Sequence, residues 1–151
     1  MNENDFWKLM ELVDVSALDS GDERAAIEPL QNALLKKTSE ELFSFEEHLA
    51  LRLYAIDGEV FADNAGDSGS SDDGFLYARC YVVAKGSVYY EAVKADPTKM
   101  PKSDEQWCEE LLYAHRRAWA QVNSTSASEW PFSASVSYET GSNSGLWRVQ
   151  Q

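Results

Sequence analysis

At 151 residues with 44% hydrophobic side chains, the chain can bury one domain's core without disulfides or metals, and it is too apolar to stay disordered. Its formal charge is −13, and the whole excess lies in the first half: residues 1–75 hold 18 acidic against 5 basic side chains, residues 76–151 eight of each. Such a chain should repel nucleic acid and anionic membranes, which bind through cationic groups, and attract basic proteins. No apolar run approaches the roughly 20 residues that span a bilayer. The opening Met1-Asn2-Glu3-Asn4-Asp5 is acidic, unlike the basic start of a secretory signal. Cys80 and Cys108 sit among apolar neighbours and read as reduced core thiols, so a cytoplasmic location is expected.

In chain order, a first helix is expected from Asn4 or Asp5, with Phe6, Met10, Val13 and Ala17 at helical spacing and Leu9 widening the stripe. Asp19-Ser20-Gly21-Asp22 should break it. A second helix is expected over Glu23 to Lys37, with Pro29 in its first turns or kinking it. Thr38 and Glu41 form a capping box, and Leu42, Phe45, Leu49, Leu53 and Ile56 then mark an amphipathic helix. Residues 63–74 read as a polar, glycine-rich capping loop.

Phe75 to Lys85 is apolar on nearly every side, and a buried helix capped by Ser71 or Asp72 and stopped at Gly86 is expected. A short helix over Val88 to Ala95 should end at Asp96-Pro97. Ser103 and Gln106 suggest a second capping box before a long helix with Trp107, Leu111, Ala114, Ala118 and Val122 on its core face. Beyond residue 122 the composition turns to Ser and Thr. Phe132, Ala134, Val136 and Tyr138 alternate with polar residues, a strand pattern. A turn over 140–145 would let Leu146-Trp147-Arg148-Val149 return as its partner. The expected fold is therefore mainly α: a compact helical domain over 1–122, and a Ser-rich connector with a short C-terminal β-hairpin over 123–151.

Phe6-Trp7 with Leu9, the Ser71-Asp72-Asp73-Gly74-Phe75 segment, Gly86, Tyr89-Tyr90-Glu91-Ala92 and Asp96-Pro97 together resemble one bacterial family, the domain-of-unknown-function family numbered 4240. Cys108 to Ala114 looks similar too. The resemblance covers residues 3 to 120 and is most specific at Ser71–Phe75. It implies a mostly helical cytoplasmic bacterial domain with no established activity, so no family catalytic residues carry over. The tail from Ser124 lies outside it.

No register of the acidic loop meets the requirements of a calcium loop: counting from Asp63, positions six and twelve are Ser68 and Gly74; from Asp67, they are Asp72 and Ala78. Asp72 and Asp73 instead suit a helix N-terminus. No Gly-x-Ser-x-Gly elbow or phosphate-cradling motif occurs, and the Cys and His spacings match no zinc module. His48 and His115 are the only bases near neutrality. On one helix, Cys108 and His115 would stand about 10 Å apart, too far for a nucleophile–base pair.

These residues point to a binding protein with no catalytic group, metal or cofactor. It is expected to recognise a basic partner, in the manner of an immunity or antitoxin protein neutralising a basic toxin such as a nuclease. Nucleic acid and membrane are not expected partners. Candidate contacts are Asp57, Glu59, Asp63, Asp67, Asp72 and Asp73, with Trp130 and Trp147 from the aromatic tail. The alternative is a regulatory or small-ligand-binding domain whose loop above Asp72 lines a pocket.

Overall fold

The computed structural model describes residues 1–148, and among them there is no strand. The chain opens with α1 (Glu3–Met10) and α2 (Val15–Asp19), where the stripe from Phe6 to Ala17 predicts one helix. The break comes at Asp14, whose carboxylate accepts the Ala17 N–H while its own N–H goes to the Ala26 carbonyl. The same apolar face is kept, since Phe6, Leu9, Met10, Val13 and Leu18 are all buried. α3 (Glu23–Leu34) runs through Pro29, which lies exposed in its second turn. α4 (Ser39–Ala55) begins at the predicted Thr38/Glu41 capping box, with both reciprocal hydrogen bonds formed.

The acidic loop is more ordered than its composition suggests. It holds α5 (Glu59–Asp63) and a 3-10 turn (Gly66–Ser70). Buried Ser68 accepts the Trp107 indole N–H, and Lys102 donates to the carbonyls of Asn64, Thr98 and Met100. Gly69 lets the turn lie flat on α5: a Cβ there would stand 1.9 Å from the Ala62 carbonyl oxygen. Because the obstacle is backbone, Gly69→Ala should cost about 1–3 kcal/mol. Thermal unfolding would show this as a melting point lower by roughly 2–4 °C per kcal/mol for a chain of this size.

α6 (Asp72–Ala84) is capped by Ser71, whose hydroxyl accepts the Gly74 N–H. It ends beside Gly86 (φ 100°), a left-handed position that favours glycine. Ten of its thirteen residues are buried, so it is the central helix, with α4, α7 (Ser87–Ala95) and the Gly66–Ser70 turn packed on it. The predicted long helix from Trp107 is instead a 3-10 turn (Glu109–Leu112) followed by α8 (Ala114–Val122). Tertiary partners divert its start: the Cys108 N–H donates to the Tyr77 carbonyl, and the Glu110 N–H to the Glu23 carboxylate. The Ser103/Gln106 pair forms only around a turn and opens no helix. α8 packs against α3 and α4. Phe45, Leu49, Phe75, Val82 and Leu111 meet in one core with no exposed surface, and Trp119 packs against it half-buried.

The predicted C-terminal β-hairpin is not formed. Residues 123–148 instead lie as an irregular strap on the helices, interrupted only by short 3-10 turns (Ala127–Glu129, Ser144–Leu146). The alternation is nonetheless physical. Phe132, Ala134, Val136 and Tyr138 are half-buried, whereas Ser133, Ser135, Ser137 and Glu139 face water. A chain with one face on a helical surface shows the same period as a strand. Strand donors are already used, the Ser135 N–H by Glu47 and that of Arg148 by Glu59, while the Gly141 and Asn143 N–H groups of the expected turn go to Asp57. The chain also bends at Ser135 and Val136. Val149, the last residue of the expected return strand, lies outside the described residues.

Candidate functional site

Two buried polar centres lie where the strap crosses the helices. The first is Glu46, placed by α4 on the same side as Phe45 and Leu49 and only 2% exposed. Its carboxylate accepts from His115 Nε2 at 2.9 Å, Arg116 Nε at 2.8 Å and the Trp130 indole at 3.1 Å. The Trp130 ring stands nearly perpendicular to Phe43, His115 and Trp119, with Arg116 above it. Phe132 stacks on Phe43 with centroids 5.3 Å apart.

Burial alone would raise the Glu46 carboxyl, but the hydrogen bond from His115 and the charge of Arg116 outweigh it and hold it below the ordinary glutamate value. Burial also governs His115, pushing its pKa below the usual 6.5 despite Glu46. The ring is therefore neutral near pH 7, with Nε2–H donating to Glu46. Both groups have depressed folded-state values, so both stabilise the fold above their unfolded pKa and lose that contribution as pH falls. Stability to urea should fall first as the pH drops below 6.5, where unfolded histidine takes a proton, and again below 4.5, the ordinary glutamate value. A nuclear magnetic resonance titration should find the His115 imidazole still neutral at the pH where exposed histidine is half-protonated.

The second centre joins Asp57, just after α4, to Arg79 on α6, and neither side chain has exposed surface. The Asp57 carboxylate accepts the Gly141 N–H at 3.0 Å, the Asn143 N–H at 3.0 Å and the Trp147 indole at 3.1 Å. Arg79 donates to the Leu53 carbonyl at 3.0 Å and the Thr140 hydroxyl at 3.1 Å, and the Thr140 hydroxyl donates in turn to the Asp72 carbonyl at 2.7 Å. The guanidinium also lies 4.7 Å from the Phe75 ring, against which Trp147 packs edge-on. Burial pulls the Arg79 pKa down while the Asp57 charge opposes it. The strap thus supplies all three donors to the Asp57 carboxylate and one of the two acceptors of Arg79, the hydrogen bonds that desolvated charges require.

The eight sequence-predicted contacts separate into two sets. Asp57, Glu59, Trp130 and Trp147 hold the strap, Glu59 through the Arg148 N–H and guanidinium. Asp63, Asp67, Asp72 and Asp73 are exposed on α5, the Gly66–Ser70 turn and the start of α6. Of these four, only Asp63 has a cation within reach, Arg148 at 4.0 Å. Sequence reasoning passed over Glu46, Glu47 and Arg79. The signal was available: a lone arginine in the otherwise apolar run from Phe75 to Ala84, and a glutamate between Phe45 and Leu49 on a core-facing stripe.

Cys80 and Cys108 are both buried free thiols, and burial raises the pKa of each well above the ordinary value. Neither has the lowered pKa of a nucleophile. Among the described residues no three His, Cys, Asp or Glu side chains gather as a metal site, and no helix is long and apolar enough to cross a membrane.

No curated protein and no solved structure matches the chain. A family model described as a protein of unknown function, DUF4240, matches residues 1–121. That span takes in both buried charge centres and stops just before the strap, and this chain belongs to the DUF4240 family.

Proposed function

We propose that the protein is a non-catalytic recognition domain whose acidic end binds a basic protein, as an immunity or antitoxin protein binds a basic toxin. The observation that carries this reading is the exposed set Asp63, Asp67, Asp72 and Asp73, left almost without cations beside exposed Val60 and Leu146. Leu146 lies against Gly58 at the start of α5, and Val60 is in the first turn of that helix. Apolar side chains flanked by unpaired charge match the core and rim of a protein interface. A cluster of charges of one sign also steers encounter with a partner of opposite sign.

A pull-down at low salt, followed by association kinetics on the retained protein, tests the reading. Changing Asp63, Asp67, Asp72 and Asp73 to Asn should slow association roughly tenfold or more with little change in dissociation. The same change at Glu91, Asp104, Glu105 and Glu129 should do less. Raising salt from about 50 to 500 mM shortens the screening length severalfold and should reproduce the loss. An acidic partner, or an association rate indifferent to salt, would defeat the reading. A small molecule recovered instead would favour the ligand-binding alternative.

A further inference from the structure

We propose that the family-matched helical domain carries a groove for an extended polypeptide, and that this chain fills the groove with its own residues 123–148. The groove runs across α4, α5, α6 and α8, and every residue that forms it lies within the matched span 1–121, whereas its occupant lies outside.

The strap is held as a bound peptide is held. Asn123, Ser124 and Thr125 still donate backbone N–H groups to carbonyls of α8, but from Ser126 onward its hydrogen bonds to the helices all involve a side chain, and no backbone ladder joins the two. Four carboxylates meet it in sequence order: Glu46 takes Trp130, Glu47 takes Ser135, Asp57 takes Gly141 to Trp147, and Glu59 takes Arg148. Trp130 and Trp147 enter aromatic sockets at Phe43 and Phe75. Tryptophan anchors of this kind dominate binding energy at interfaces. Between them lies an open surface pocket of about 300 Å³ lined by Phe132, Val136, Tyr138, Glu46 and Arg116.

The connection is also suited to release. Asn123–Ser126 is exposed, and Ser124 takes a left-handed φ of 53°, a strained conformation for a non-glycine residue. Beneath the strap, Arg79 keeps a buried Nε with no hydrogen-bond partner. The strap meets the groove's carboxylates and Arg79 with backbone N–H groups, the hydroxyls of Ser135 and Thr140, two tryptophan indoles and the Arg148 guanidinium, so the fitting ligand is an extended chain with two spaced tryptophans. The same segment of another copy meets that description.

The experiment uses the full-length protein with a site-specific protease sequence inserted after Ser124. After cleavage the two pieces should co-elute, and a dye-labelled synthetic peptide of residues 125–148 should exchange into the nicked protein, read by fluorescence anisotropy. The uncut protein should exclude the peptide at least roughly tenfold, because a tethered strap competes at millimolar effective concentration. A peptide carrying both Trp130→Ala and Trp147→Ala should bind at least tenfold more weakly. So should the normal peptide on nicked Asp57→Asn, with Glu47→Gln as a milder groove variant at a less buried position. If cutting and diluting away the strap erases the helical circular dichroism, the strap is core and the proposal is wrong. Equal binding to cut and uncut protein, or no exchange into cut protein, overturns it as well. The outcome depends only on this chain's own segment, so it stands or falls separately from the acidic-end reading.

Discussion

Asp57→Ala is expected to cost about 3–5 kcal/mol, the range found when one partner of a buried charge network is removed. The cause lies in what is left behind. Gly141 N–H, Asn143 N–H and the Trp147 indole lose their acceptor together, and Arg79 keeps a fully buried positive charge without the opposing charge of Asp57. Asp57→Asn should recover only part of this, since an amide can accept through its oxygen but turns its N–H₂ towards donors. Urea unfolding checks the magnitude, and Asp67→Ala, exposed and without a salt bridge, should change stability by less than about 0.5 kcal/mol. A loss for Asp57→Ala as small as that for Asp67→Ala would show that the strap centre contributes little. Trp147 fluorescence should report the site of damage, because its indole loses the bond that fixes it against Phe75.

Leu49→Ala should cost about 2–5 kcal/mol, the sum of lost burial and an unfilled cavity. Leu49 has no exposed surface and lies on the buried stripe of α4 with Leu42, Phe45 and Leu53. The neighbouring helices α6 and α8 both pack on α4, so the site has little freedom to collapse. The melting point should fall by roughly 2–4 °C per kcal/mol. An exposed apolar control, Val88→Ala on α7, should leave it nearly unchanged, since Val88 is 86% exposed. The two losses should also differ in character. Leu49→Ala weakens the core without touching the strap, whereas Asp57→Ala should free the strap before the helices unfold.

Local chemistry alone determined much of this protein. Side-chain capping by Thr38 with Glu41 and by Ser71, the stop at Gly86 and the apolar stripe of α4 are set by neighbours within four or five residues, so they stand in the structure as predicted. Membership of the family was likewise legible from the Ser71–Phe75 segment and its companions, and the match spans residues 1–121. What failed were the elements whose backbone donors are used by distant partners. The helix expected from Trp107 is broken because Cys108 and Glu110 donate to Tyr77 and Glu23. The expected hairpin is absent because Glu47 and Glu59 take N–H groups from the expected strands and Asp57 takes two from the expected turn.

The period-two alternation of 132–138 could not separate these outcomes, because a strand in a sheet and an extended chain on a helical face bury alternate side chains alike. The acidic candidates were divided for the same reason. Asp57 and Asp63 look equivalent in sequence, yet one has no exposed surface and takes three donors of the strap while the other faces water. Only the packing of a segment some 85 residues further along decides which carboxylate is buried in a hydrogen-bond network and which faces water, because the cost of burying a charge depends on donors that local sequence does not contain.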